Sequence, residues 1–200
     1  MRGVEQIPWV YDAMCAVMEW TGLERWREWL VKGAQGRTLE VGCGTGRNLN
    51  RYDAAVVLVA LEPDEHVLKK ARTRASAALL VRGSAEALPF REGVFDTIVS
   101  SLVFCSVPRP EVGLKEIHRA LRSNGQLRML EHVRHHHRFL GWLQDLLQPA
   151  WTAVAGGCVP NRRTEATVES SGFEISEDGR RRRGTMRRFV ARPVRSPRPG

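Results

Sequence analysis

No apolar run in this 200-residue chain is long enough to cross a bilayer: the longest, AAVVLVAL at 54–61, falls far short of the ~18 residues a spanning helix needs. The amino terminus has neither the basic start nor the small-residue cleavage site of a signal peptide. Cysteine is scarce. Cys15, Cys43, Cys105 and Cys158 include no CxxC pair, which argues against a disulfide framework and for free thiols in a reducing compartment. There is no internal repeat, and no G-K-[ST] follows a glycine-rich loop, so a Walker phosphate site is excluded. A cytoplasmic location is the expectation.

What remains is one globular domain with 42% hydrophobic residues, long enough to bury about 70% of its unfolded surface. Net charge is +9, and of 31 basic residues only Lys32, Lys69, Lys70 and Lys115 are lysine. Many of the arginines crowd into GRRRRGTMRR at 179–188. Such a cluster suits phosphate on nucleic acid or an anionic lipid surface, and equally a solvated hairpin.

Residues 1–35 read as a helical cap. Within it, 7–31 gives two short amphipathic helices parted by Gly22, with Val10, Met14 and Val17 on one face and Leu23, Trp26 and Leu30 on the other. Four of the six tryptophans lie there. They fit a cap over a pocket better than a bilayer surface, because Asp12, Glu19, Glu24 and Glu28 interrupt any basic face.

From 38 to 133 strand-length apolar runs alternate with helical stretches. TLEVG, VVLVALE, ALLVRG, FDTIVSSLVF and GQLRMLEHV read as five strands, the last after the turn SNG. GRNLNRY, DEHVLKKARTRA and PEVGLKEIHRALR read as helices. This alternation predicts a doubly wound α/β fold, a mostly parallel Rossmann-like sheet with helices on both faces. Residues 139–160 form an amphipathic helix expected to cover the substrate, with Leu143, Leu147, Trp151 and Val154 on one side and Pro149 as a kink. FEIS and RRFVARPV, within 172–194, are closing strands joined by an arginine-rich turn.

The chemistry concentrates in LEVGCGTGRNLN at 39–50. In an open parallel sheet, ligands bind at the carboxyl ends of the strands, and the first strand-to-helix turn is the usual contact. Gly42, Gly44 and Gly46 there permit positive φ and close backbone approach. The spacing is G-x-G-x-G; the dinucleotide fingerprint G-x-G-x-x-G fails because its third glycine position is Arg47. At the end of the second strand Glu62 is placed to take both hydroxyls of an unphosphorylated ribose.

EVGCGTG, LEPD, GSAEALPF and FDTIVSSLVFCSV, in that order across 38–133, resemble the class I S-adenosylmethionine-dependent methyltransferases, especially their quinone-biosynthesis and small-molecule branch. The resemblance implies S-adenosylmethionine as cofactor. It implies that Glu40 orients the methionine ammonium through water and that Gly42, Cys43, Gly44, Gly46 and Asn48 form the loop beside it. Glu62 and Pro63 then hold the ribose, Ser84, Ala85 and Glu86 border the adenine, and Ser101 and Leu102 offer carbonyls to the amino group. The family usually has Asp where this chain has Ser84, which weakens the adenine grip or passes it to Glu86.

SLVFCSV, EHV and LQPAWTAVAGGCVPNR narrow the resemblance to the membrane-associated alkyl thiol methyltransferases of animals, which share an L-x-P-A-W…G-C stretch. The amino-terminal hydrophobic anchor of those enzymes is not found in these residues, so only a peripheral membrane contact is expected. The narrower resemblance implies a small, fairly apolar methyl acceptor such as a thiol. It implies Glu131 and His132 as catalytic, with His132 suited to a general base, and Tyr11, Cys105, Ser106 and Trp151 as acceptor-lining residues.

HHH at 135–137 raises a metal reading, with His132 and His136 at i and i+4 if helical. No third ligand is evident, and Arg134 and Arg138 repel a cation, so no metal is expected. Nucleic-acid methylation is a weaker rival: the [N/D]-P-P-aromatic motif is absent after the fourth strand, and Phe104, not proline, precedes Cys105. Phospholipid amine methylation at a membrane surface competes as well, as does a non-catalytic scaffold. The oligomeric state is left open.

Overall fold

A computed structural model describes residues 23–75, 77–154 and 157–194. The first part of the expected cap, with Tyr11, Cys15 and the Val10–Met14–Val17 face, lies outside them. Seven strands form one sheet: β1 (Arg37–Val41), β2 (Val57–Glu62), β3 (Leu79–Arg82), β4 (Phe95–Ser101), β5 (Leu121–His132), β6 (Phe173–Arg183) and β7 (Met186–Pro193). Their order is β3-β2-β1-β4-β5-β7-β6. The first five pair in parallel and the last two close the sheet antiparallel. The helices are α1 (Glu24–Lys32), α2 (Glu65–Ala71), α3 (Pro110–Ala120), α4 (Arg138–Val154) and α5 (Thr164–Ser170).

Strand periodicity divides the core. Leu39, Val41, Val59, Leu61, Ile98, Leu127 and Met129 face one side, where Leu114 and Ile117 of α3 and Val168 of α5 pack on them. The intervening residues face the other side: Leu58 and Ala60 meet Leu68 and Ala71 of α2, and Val99 and Leu130 meet Leu30 of α1. Strands buried on both faces read as continuous apolar runs, and β1, β2 and β4 are buried along almost their whole length.

Local chemistry sets several boundaries. Asp64 caps α2, its Oδ1 accepting from the backbone N–H groups of His66 and Val67. Pro110 opens α3 at a position where a missing N–H costs nothing. The helix expected over GRNLNRY is absent. Residues 44–50 are successive turns closed by bonds such as Gly46 N–H to Cys43 O and Leu49 N–H to Gly46 O, entered through Gly44 and Gly46 at φ of +55° and +82°. β4 stops at Ser101, since Leu102 adopts φ +60°. Ser123 and Asn124 of SNG form an exposed excursion within β5, ahead of the buried Gly125, where the pairing with β4 shifts register. The arginine-rich segment is mostly strand: β6 runs to Arg183, and only Gly184 and Thr185 make the turn.

Two arginines fasten α1 over the sheet. Arg128, on β5, donates to the carbonyls of Leu30 (2.8 Å) and Trp29 (2.6 Å) at the carboxyl end of α1, where the helix dipole favours a cation. Burial lowers its pKa to about 10. Trp29 lies between Arg128 and Arg188, and Arg188 also reaches Trp26. These two tryptophans therefore stack on arginine. No helix among the described residues is long and apolar enough to cross a membrane.

Candidate active site

The strand order reverses between β1 and β4, and a crevice of about 310 Å³ opens at the carboxyl ends of β1, β2 and β4. Gly42, Gly44, Glu62, Ser84, Leu102 and Ser106 are among its lining residues, with Pro63 and Ala85 beside them. This is where an open α/β sheet holds a ligand.

The three glycines do different work. A Cβ on Gly44 would meet nothing within 4 Å, so its bare backbone faces open space. A Cβ on Gly42 would stand 2.6 Å from Val103 Cγ2, so this glycine lets the loop close on the turn after β4. Gly46 serves packing, with a virtual Cβ 3.1 Å from Ala71 Cα. Cys43 is buried among Leu49, Leu58 and Leu68, and the desolvation of its thiol pushes the pKa far up.

Glu62 is buried at the crevice floor. Its Oε2 accepts from the Gly44 N–H (3.0 Å) and its Oε1 from the Asp64 N–H (3.1 Å). Burial raises its pKa in spite of those bonds. Each carboxylate oxygen has a second lone pair, so the group can still receive a diol.

Glu40 occupies the opposite face of β1, under α1. Asn48 Nδ2 donates to its Oε1 at 2.8 Å, and Arg27 donates to Asn48 Oδ1 at 3.1 Å and to Ser101 Oγ at 3.4 Å. Tyr52's hydroxyl lies beside the carboxylate, and among the described residues neither that hydroxyl nor the buried Glu40 Oε2 has a partner within hydrogen-bond geometry. Desolvation pushes the Glu40 pKa up to about 7. A buried carboxylate oxygen without a donor fits a cofactor that brings an ammonium or an ordered water, and the open space at Gly44 fits a ligand lying along the loop. Arg27 is the residue that sequence reasoning misses here, since it stands there only as one charge on an amphipathic helix.

Several expected residues stand elsewhere. Glu86 is not in the crevice wall; its Oε1 accepts from the Arg109 N–H and Nε at 3.0 and 2.9 Å. Ser84 Oγ accepts from the Glu86 N–H at 3.2 Å while the residue lines the crevice. Glu131 is fully buried, and its Oε1 accepts from Ser100 Oγ (2.7 Å) and from the N–H groups of Val103 (3.1 Å) and Phe104 (3.2 Å). It thus holds the turn that carries Leu102 and Val103. Burial raises its pKa.

Cys105 is 2% exposed and packs on Cys158. His132 and the Trp151 indole also contact the Cys158 thiol. In the sequence Cys158 is only part of a shared stretch, and its position in LQPAWTAVAGGCVPNR is the one signal that could have found it. Residues 133–137 are not helical, so His132 and His136 do not form the i, i+4 pair. Leu147 and Trp151 of α4 are exposed, together with Phe139, Trp142 and Leu146, and among the described residues none of α4 lines the crevice.

Residues 39–129 match the family described as methyltransferase domain. The chain is 31% identical over 154 residues to the thiol S-methyltransferase TMT1B of Homo sapiens, covering 72% of this chain and 63% of that protein. It is 38% identical over 138 residues to the ubiquinone/menaquinone biosynthesis C-methyltransferase UbiE of Roseobacter denitrificans, covering 60% of this chain and 54% of that one. The chain thus spans about three fifths of the length of these relatives. A SAM-dependent methyltransferase from Thermotoga maritima has the same fold, with TM-score 0.71 and 20% identity over 94% of this chain and 96% of that one.

Proposed function

The chain belongs to the class I S-adenosylmethionine-dependent methyltransferases, and on that premise we propose that it transfers a methyl group from S-adenosylmethionine to a small, fairly apolar acceptor, with a thiol favoured. The observation that carries the reading is the pairing of Glu62 with Gly44: a buried carboxylate bonded to the bare backbone of the glycine loop, inside one crevice.

When bound, the cofactor supplies a methyl group already activated on a sulfonium. The chain's own task is then to bind, orient and exclude water. Glu62 accepts from ribose hydroxyls, Gly44 lets the main chain approach, and Glu40 Oε2 receives the charge of an ammonium. Leu102, Val103 and Val107 supply apolar wall, and Glu131 keeps the first two in place through the turn. Placing an acceptor in line is worth roughly 7–11 kcal/mol. A thiol with a pKa near ~8.5 needs little help to ionise, and His132, which sits behind the crevice wall with Cys105 and Cys158, is not assigned to that step.

The thiol is favoured by the similarity to the human thiol S-methyltransferase and by the shared L-x-P-A-W…G-C stretch. A cytoplasmic protein that touches membrane peripherally is part of the same reading. The exposed apolar residues of α4 begin three residues after His136, whose imidazole feels the charges of Arg182 and Arg187 in the arginine-rich hairpin. A panel of acceptors assayed for S-adenosylhomocysteine release tests the proposal. Small apolar thiols are expected to turn over; turnover only on phosphatidylethanolamine vesicles or on nucleic acid would sink it.

A further inference from the structure

Three side chains of ligand type, drawn from separate parts of the chain, meet behind the crevice wall. Cys105 comes from the turn after β4, His132 from the end of β5 and Cys158 from the segment after α4. Their two sulfurs and a ring nitrogen all lie within 4.8 Å of one another. Both thiols are almost withdrawn from solvent, at 2% and 3% exposure, and His132 is partly buried.

The surrounding backbone braces the cluster from every side. The Val159 N–H donates to Cys105 O at 2.8 Å, and Thr152 Oγ1 donates to Cys158 O at 2.9 Å. Gln144 Nε2 bridges Val133 O and Pro160 O, tying the flank of His132 to the flank of Cys158. Arg162 donates to the carbonyls of Phe104 and Val107 on either side of Cys105. Fixed ligands with supporting outer contacts are what a metal site needs.

We propose that Cys105, His132 and Cys158 bind a borderline-soft divalent cation, Zn²⁺, through three protein ligands with a fourth position open. Two thiolates and an imidazole suit Zn²⁺ better than harder ions. With Zn–S of about 2.3 Å and Zn–N of about 2.0 Å, tetrahedral ligand atoms stand roughly 3.5–3.8 Å apart. The cluster therefore needs a contraction of at most about 1 Å, within the reach of side-chain torsions. Two thiolates cancel the charge of the ion and release two protons to solvent. The resulting complex is neutral, which suits a buried place and spares it repulsion from Arg134 and Arg162. Because Val103 and Ser106 flank Cys105 and line the crevice, the ion would pin that wall to β5 and to the segment after α4.

The test reads metal and so stands apart from the methyl-transfer reading. The full chain, without a histidine tag, is reduced with a phosphine, stripped with a chelator and titrated with Co²⁺. One equivalent is expected to give a thiolate-to-cobalt charge-transfer band with intense tetrahedral visible bands, both displaced by Zn²⁺. The bands should vanish in Cys158→Ser, weaken in His132→Gln, and persist when His135, His136 and His137 are all changed to Gln. Should Cys158→Ser fail to fold, X-ray absorption on the zinc-loaded wild type decides, with two sulfur and one imidazole ligand expected. No thiolate band at saturating Co²⁺, bands unchanged in folded Cys158→Ser, or a zinc shell without two sulfurs overturns the proposal.

Discussion

Replacing Glu62 with glutamine isolates the carboxylate on which cofactor recognition is proposed to rest. Its two oxygens already accept from Gly44 and Asp64 at 3.0 and 3.1 Å, and each has a second lone pair for a ribose hydroxyl. Glutamine keeps the shape and one acceptor, but its NH₂ must face one of the two backbone N–H groups, donor against donor. Hydrogen bonds to a charged group contribute about 1.5–3 kcal/mol each. Losing one bond to the diol and weakening the other costs roughly 2–4 kcal/mol, or about 30- to 700-fold in Kd at 1.4 kcal/mol per decade. Titration calorimetry with S-adenosylhomocysteine measures this directly, with a thermal melt to show that the variant is folded. A folded Glu62→Gln protein whose Kd stays within about threefold of wild type refutes the assignment.

Glu40 makes a pH-dependent prediction. Its folded pKa of about 7 lies above the ordinary value of 4.5, so between those values the folded state binds more protons than the unfolded one and stability falls as pH rises. The full cost, roughly 3 kcal/mol, is present above pH 7 and absent below about pH 4.5; Glu40→Gln should therefore gain in Tm over wild type across that window and hold a constant lead above it, while binding cofactor more weakly. Gly44→Val places a side chain at φ +55° facing open crevice; the strain of about 1–2 kcal/mol should lower Tm by only a few degrees while cofactor affinity, read by calorimetry, falls at least tenfold. Glu131→Ala strips the partner from Ser100, Val103 and Phe104; with about 1–3 kcal/mol for each buried donor left unpaired, a loss of roughly 3–5 kcal/mol should appear as a Tm drop of about 6–20 °C, and a shift under 2 °C would contradict the buried clamp.

The alternation of strands and helices was legible because parallel strands, buried on both faces, leave uninterrupted runs such as VVLVALE between amphipathic helices. The crevice was legible for the same reason: glycines and an acid at strand ends sit where the topology must open. What escaped were contacts made across the fold. Glu131 looks like an acid beside a histidine at a strand end, and nothing local shows that Ser100, Val103 and Phe104 consume its oxygen. Arg27 and Arg128 read as ordinary charges until α1 lies on the sheet. The helix after the glycines failed because the segment closes in successive i→i+3 turns, a pattern that apolar periodicity does not tell from a helix. Cys105, His132 and Cys158 belong to three segments whose meeting only the closed sheet reveals.

A crystal structure of the protein with S-adenosylhomocysteine tests the central claim most directly. The ribose hydroxyls are expected within hydrogen-bond distance of Glu62, the chain of Gly44 against the nucleoside, and the amino group reaching Glu40 Oε2 directly or through one water. A nucleoside bound away from Glu62, or a crevice that stays empty at saturating ligand, would contradict it.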